Sequence, residues 1–199
     1  PFFKDWMLPT GNLREWPIGK RRANTIIVTK CPEELSPKEQ IAFSQKMKPK
    51  PWQTIHFSSF RYGKIIPVHD GIVYHDIAEL KQINILLITG IANPVPIINK
   101  LESEDLNVTH MRFSDHHRFS DKDIKKVQKL FDTFGGNKII LTTEKDAQRL
   151  RLVDGAPELS IHYLEIEVFF VDDKTRFNKE IEDYVRQYKT DSKISERSD

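Results

Sequence analysis

The 199-residue sequence contains a single cysteine, Cys31, and no long apolar run. One cysteine excludes an intramolecular disulfide framework and is typical of a protein in a reducing compartment. A membrane-spanning helix needs about 20 consecutive apolar residues, and no stretch of the sequence provides them. A chain of this length can bury a sizeable core without covalent staples.

The net charge is also small, because 31 basic residues nearly balance 29 acidic ones and leave a net charge of +2. This composition gives no reason to expect nucleic acid as the main partner. The local basic group Lys20-Arg21-Arg22 is typical of a solvated surface, and the alternative is a contact with phosphate or an anionic membrane.

A phosphate-binding loop of the form Gly-x-x-x-x-Gly-Lys-Ser/Thr is absent from the sequence. That loop cradles nucleotide phosphates, so we expect these residues alone neither to hydrolyse ATP nor to transfer its phosphate. The sequence opens at Pro1 without an initiator methionine, which is typical of a piece cut from a longer chain.

Apolar periodicity predicts strands that alternate with capped helices. The predicted strands cover residues 25–29, 54–60, 83–91, 107–113, 138–141 and 161–171, and the predicted helices cover 37–47, 93–103, 120–134, 144–150 and 173–188. Repeated strand–helix–strand units predict an α/β fold with a mostly parallel sheet flanked by helices.

A hairpin is predicted around Asp70-Gly71, a favoured tight-turn pair between two β-rich runs. Such a ribbon has little core of its own and suggests a linker between domains. We therefore expect four parts: the remainder of a first lobe at residues 1–53, a two-stranded ribbon linker at 54–76, an α/β lobe at 77–188, and a disordered tail at 189–199.

The strongest local candidates for chemistry are Asp115, His116 and His117, where a predicted strand gives way to a helix. Open α/β sheets place their sites at such strand ends. A histidine there can act as a general base or carry charge near neutral pH, and a carboxylate can orient it or hold a metal. Polar residues before a helix also satisfy its free amides, so the pattern alone is equally compatible with a structural loop.

Thr143 and Lys145 form a second candidate at the start of the helix predicted after residues 138–141. Hydroxyl and ammonium groups at a helix amino terminus suit an anion such as phosphate. An ordinary helix cap is the more frequent explanation of the same pattern.

Five segments occur in the same order as the motifs of a known family. They are LPTGNLRE at residues 8–15, ANTIIVTK at 23–30, LITGIANP at 87–94, FSDHHRF at 113–119 and ILTTEKDAQRL at 140–150. The sequence thus resembles the C-terminal portion of the tetraacyldisaccharide 4'-kinase, or lipid A 4'-kinase, family. It departs from the family pattern at Thr10, Asn12 and Ser114.

The resemblance implies a P-loop NTPase-like second lobe and a kinase that uses ATP and Mg²⁺. The implied reaction transfers the γ-phosphate to the 4'-hydroxyl of tetraacyldisaccharide 1-phosphate, a lipid A precursor. It also implies peripheral association with the cytoplasmic face of the inner membrane of Gram-negative bacteria. The family's phosphate loop and catalytic aspartate precede the first motif, so a missing N-terminal lobe is implied, and neither ATP nor Mg²⁺ is expected to bind these residues alone.

By the same resemblance, His116 matches the active-site histidine that would pair with the aspartate of the missing lobe. Asp115 and His117 remain candidates beside it, and Arg14 and Glu15 match a pair that lines the family's active site. The alternative is a non-catalytic α/β binding or interaction module. A metal-dependent hydrolase would need more ligands than one loop supplies.

Overall fold

The computed structural model describes residues 16–195. Within that part of the chain the strands and helices are β1 (Thr25–Val28), α1 (Pro37–Met47), β2 (Thr54–Pro67), β3 (Asn84–Thr89), α2 (Val95–Ser103), β4 (Val108–Arg112), α3 (Asp121–Phe131), β5 (Lys138–Thr143), α4 (Glu144–Leu150), β6 (Ile161–Phe170) and α5 (Lys174–Ser195).

The chain divides into two compact units. One contains residues up to Arg61 and from Val168 onward, and the other is Tyr62–Glu167. Strands β2 and β6 each continue from one unit into the other. In the first unit the strand order is β1-β2-β6, and in the second it is β2-β6-β5-β3-β4.

The first unit is built on the parallel pair β1 and β2, in which Thr25 lies opposite Thr54. Its core consists of the buried side chains Leu35, Met47, Ile55 and Phe57. Helix α1 begins at the predicted residue because Ser36 and Glu39 form a capping box, with proline in the first turn.

The second unit contains the predicted parallel sheet. Strand β3 lies between β4 and β5, and β5 also pairs with β6; all three pairings are parallel. Ile88 of β3 lies opposite Met111 of β4 and Thr142 of β5. The carboxyl ends of these three strands therefore meet at one edge of the sheet.

Both faces of β3 are buried under helices. Leu86 and Ile88 pack in a core with α3 and α4, whereas Ile85 and Leu87 pack in a second core with α2. All four side chains have no exposed surface. A parallel sheet with both faces covered is the predicted fold class, which is confirmed.

Two local predictions differ from the structure. The hairpin around Asp70-Gly71 reduces to one antiparallel pair, Ile65 with Tyr74, because the segment after Tyr62 continues β2 as a long strand. Helix α5 continues to Ser195, past its predicted end near residue 188. The four-part division and the disorder of the tail stay predictions, and residues 196–199 lie outside the described residues.

Candidate functional site at the carboxyl edge of the sheet

The loop that follows β4 is fixed to the end of β3 by backbone hydrogen bonds. The amide of Phe113 donates to the carbonyl of Thr89 at 2.7 Å, and the amide of His116 donates to the carbonyl of Gly90 at 3.1 Å. His116 has a φ of 59°, in the left-handed region, which costs a non-glycine residue about 1 kcal/mol. The loop conformation is therefore determined by β3 and turns sharply at His116.

Asp115 and His116 project their side chains into solvent at this turn. The side chain of His116 is 70% exposed and that of Asp115 is 41% exposed, and His116 Nε2 lies 3.7 Å from Asp115 Oδ2. Lys145 Nζ lies 3.9 Å from Asp115 Oδ1. The structure thus brings together Asp115, His116 and Lys145, three of the residues singled out in the sequence.

His117 has a different environment from its neighbour. Its Nε2 atom lies 3.1 Å from Asp123 Oδ2, and its ring packs against the rings of Phe113 and Phe119 at centroid distances of 4.8 and 5.1 Å. Hydrogen bonds from the Ser120 hydroxyl and from His117 lower the pKa of Asp123. These contacts attach the loop to the start of α3.

Thr143 uses its hydroxyl inside the protein. The hydroxyl donates to Asp146 Oδ2 at 2.9 Å and accepts from the Asp146 amide at 3.1 Å, which caps α4. Thr143 is only 7% exposed and Asp146 is fully buried. The role of Thr143 as a ligand-binding residue stays a prediction, whereas its role as a helix cap is visible in the structure.

Asp146 and Arg149 organise the site, although the sequence did not single them out. Asp146 Oδ2 accepts a hydrogen bond from the Gly90 amide at 2.8 Å. Arg149 Nη1 donates to Asp146 Oδ1 at 3.3 Å, and Arg149 Nη2 lies 3.3 Å from His116 Nδ1. The Thr143-x-x-Asp146 spacing is a recognisable capping signal, but it does not reveal the contact with Gly90.

A second polar cluster lies in the first unit and was also missed. His56 has no exposed surface; its Nδ1 lies 3.2 Å from Asp172 Oδ2 and its Nε2 lies 2.9 Å from Glu180 Oε2. Glu180 Oε1 also accepts from the hydroxyls of Thr25 and Thr54. Burial raises the pKa of Glu180, but these hydrogen bonds outweigh it and bring the pKa to about 2.

Arg14 and Glu15, the other residues expected at the site, lie outside the described residues, so their place at the site stays a prediction. Between residues 16 and 195, no group of three or more His, Cys, Asp or Glu side chains is arranged to hold a metal ion. No helix in that same range combines the length and apolarity needed to cross a bilayer.

A family sequence model described as "Tetraacyldisaccharide-1-P 4'-kinase" matches residues 1–186. Among curated proteins, the tetraacyldisaccharide 4'-kinase of Bacteroides thetaiotaomicron is 37% identical over 98% of this chain and 55% of its own length. The protein of the same name from Flavobacterium johnsoniae is 39% identical over 92% of this chain and 51% of its own length. The chain therefore spans about half the length of the curated relatives it matches.

Among solved structures, LpxK from Aquifex aeolicus in complex with ATP superimposes with a TM-score of 0.54. The match covers 89% of this chain and 47% of that one, at 19% sequence identity. At this level of identity the comparison concerns the fold alone, and it agrees with the α/β fold expected from the sequence.

Proposed function

The chain belongs to the tetraacyldisaccharide-1-phosphate 4'-kinase family, and we propose from this that it is the C-terminal part of a lipid kinase. The full protein would transfer the γ-phosphate of ATP to the 4'-hydroxyl of tetraacyldisaccharide 1-phosphate during lipid A biosynthesis. Because the substrate carries acyl chains, we place the enzyme peripherally at the cytoplasmic face of the inner membrane.

His116 is the residue that we propose for a direct role in the reaction. Phosphoryl transfer to a hydroxyl needs a group that handles the hydroxyl proton, together with positioning and charge stabilisation. His116 is accessible to a substrate because its side chain is 70% exposed, yet its backbone is held by the end of β3. This combination of an exposed imidazole on a fixed turn is the observation that carries the proposal.

Asp115 and His117 have supporting roles in this proposal. Asp115 lies near both His116 and Lys145, so its carboxylate contributes to the charge around the exposed ring. His117 is occupied by Asp123 and two aromatic rings, and we assign it to holding the loop.

The described residues do not fit a magnesium ion or nucleotide phosphates. Magnesium prefers several oxygen ligands, but Asp115 already faces Lys145 and His116, and Asp146 is engaged by Gly90, Thr143 and Arg149. Since the sequence also has no phosphate loop, we propose that ATP and Mg²⁺ bind to an N-terminal lobe outside this chain. These 199 residues alone are then expected not to turn over ATP.

The test of the role of His116 is a His116→Ala substitution in the full-length kinase that contains this chain. We expect kcat to fall at least about 100-fold, the usual contribution of a positioned proton-transfer group, with KM changed much less. The matched control is His75→Ala, an exposed histidine elsewhere in the second unit, which should leave kcat unchanged. An unaltered kcat in His116→Ala would exclude the proposed role.

A separate assay addresses the need for another lobe. The purified 199-residue chain is incubated with ATP and Mg²⁺, and phosphate release is measured. We expect no release above the blank, and metal-dependent turnover by this chain would contradict the proposal.

A further inference from the structure

Arg149 connects the exposed imidazole of the site to a fully buried carboxylate. Its Nη2 lies 3.3 Å from His116 Nδ1, and its Nη1 donates to Asp146 Oδ1 at 3.3 Å. A guanidinium has only donors and stays protonated in proteins. In this contact the His116 Nδ1 atom must therefore be the acceptor.

The acceptor role of Nδ1 determines where the proton of the neutral ring sits. A neutral imidazole has one nitrogen that donates and one that accepts. If Nδ1 accepts from Arg149, the proton is on Nε2, and Nε2 is the nitrogen that faces Asp115 Oδ2 at 3.7 Å. His116 then presents an N–H donor on its outer side.

Arg149 is itself held in place, which makes it able to orient a neighbour. Its partner Asp146 has no exposed surface and accepts hydrogen bonds from the Gly90 amide and the Thr143 hydroxyl. Arg149 has only 26% of its side chain exposed. The position of its guanidinium thus follows from the ends of β3 and β5 and from α4.

The side chain of His116 has few other contacts that could fix it. Its amide bonds to the Gly90 carbonyl and to Asp115 Oδ1, but these bonds hold the backbone alone. The ring is 70% exposed, and within the described part of the chain its polar contacts are with the side chains of Arg149 and Asp115.

We propose that Arg149 is a positioning residue that holds His116 in the Nε2–H tautomer, so that the reacting side of the ring offers a hydrogen-bond donor. The inference rests on the proposed role of His116 in phosphoryl transfer. Its consequence is that His116 meets an acceptor, such as a carboxylate or a substrate oxygen, through Nε2–H. In the neutral ring Nδ1 is occupied by Arg149, so while this contact persists His116 assists the proton transfer as a hydrogen-bond donor, and the group that it contacts accepts the hydroxyl proton.

The first test is ring nitrogen NMR on the 199-residue chain labelled with ¹⁵N-histidine, at about pH 8, where a free imidazole is neutral. Long-range proton–nitrogen spectra distinguish the two tautomers. We expect His116 in the unmodified chain to give the signals of the Nε2–H form alone, and Arg149→Met to shift its nitrogens toward a mixture of the two forms. Unchanged His116 nitrogen signals in Arg149→Met would overturn the proposal.

Two controls separate a local effect from a loss of structure. Arg151→Met removes a nearby arginine that donates to the Val68 carbonyl and should leave the His116 signals unchanged. The His117 ring, held by Asp123, should keep its signals in Arg149→Met if the loop stays folded. The unmodified chain provides a reading that does not depend on whether Arg149→Met folds: a mixture of the two tautomers at His116, or the Nδ1–H form, would overturn the proposal. Arg149→Lys keeps a cationic donor and should preserve the Nε2–H form.

The second test uses the full-length kinase and a double-mutant comparison. Arg149→Met should lower kcat about 10-fold or more with little change in KM, since a wrong tautomer removes catalysis without removing the binding site. Adding Arg149→Met to His116→Ala should cause no further loss, whereas a purely structural role of Arg149 would give additive losses. The NMR result does not depend on kinase activity, so a failure of the tautomer inference and a failure of the proposed function are distinguishable.

Discussion

Glu180 Oε2 lies 2.9 Å from Nε2 of His56, a ring with no exposed surface. The other ring nitrogen lies 3.2 Å from Asp172 Oδ2, so two carboxylates flank this one buried imidazole. The hydrogen bonds of this cluster connect β2 to α5. Hydrogen bonds with a charged partner are stronger than those between neutral groups.

Replacing Glu180 by glutamine should destabilise the first unit. Glu180→Gln removes the charge that faces His56, and we expect a loss of about 2 kcal/mol in the free energy of unfolding, measured with urea near pH 7. Glu182→Gln is the matched control on the same helix, because the Glu182 side chain is 65% exposed; it should change stability by less than about 0.5 kcal/mol. Equal effects of the two substitutions would contradict the assignment.

The contribution of Glu180 should also depend on pH. Its pKa in the folded protein is about 2, below the usual value of 4.5. A lowered folded-state pKa means that the unfolded chain binds the proton more readily, so the stabilisation is present above about pH 4.5 and is lost as the pH falls toward 2. The stabilisation that Glu180 contributes in this way is at most about 3 kcal/mol. Urea unfolding of the original chain and of Glu180→Gln from pH 7 down to pH 3 should give curves that converge with falling pH. A constant difference would refute the linkage.

Gly90 should not tolerate a larger side chain. A Cβ at this position would lie 3.2 Å from Asp146 Oδ1 and 3.3 Å from His117 Cβ, and both neighbours are held by other contacts. We expect Gly90→Ala to lower the free energy of unfolding by about 1–3 kcal/mol. Gly135→Ala is the control, since a Cβ there would meet nothing within 4 Å. Thermal unfolding followed by circular dichroism compares the two variants, and equal midpoints would contradict the packing argument.

Substitutions of the two adjacent histidines should have different effects on the stability of the chain. His117→Ala removes a ring that packs against Phe113 and Phe119 and contacts Asp123, so we expect a loss of about 1–3 kcal/mol in stability. His116→Ala removes a mostly exposed ring and should stay within about 0.5 kcal/mol of the original chain. Urea titrations of both variants provide the measurement. A larger loss for His116→Ala would reverse the assignment of the two residues.

Much of the second unit was predictable because its signals are local. Capping residues such as Ser120 and Thr143, together with β-branched runs, determine where elements begin and end. The convergence of Asp115, His116 and Lys145 also follows from sequence, since the carboxyl ends of neighbouring parallel strands must meet at one edge.

The remaining contacts depend on partners that are distant in the sequence. His56 and Glu180 are 124 positions apart, and Gly90 is 56 positions from Asp146. No periodicity or spacing reports such pairs. Arg149 was missed for the same reason, because a charged residue on a short helix is usually solvated, and its contact with His116 depends on how the loop after β4 turns.

The uniform burial of β3 has a consequence for strand alignment. A slip of one residue exchanges the two faces of a strand, yet here it would exchange Ile85 and Leu87 for Leu86 and Ile88, all apolar and all fully buried. Hydrophobicity therefore does not distinguish the correct alignment of β3 from a shifted one. The distinction comes from polar groups at its carboxyl end, where the Ile88 carbonyl accepts from Thr142 and the Gly90 amide donates to Asp146. The edge of the sheet that presents His116 is thus also the edge that selects the register of β3.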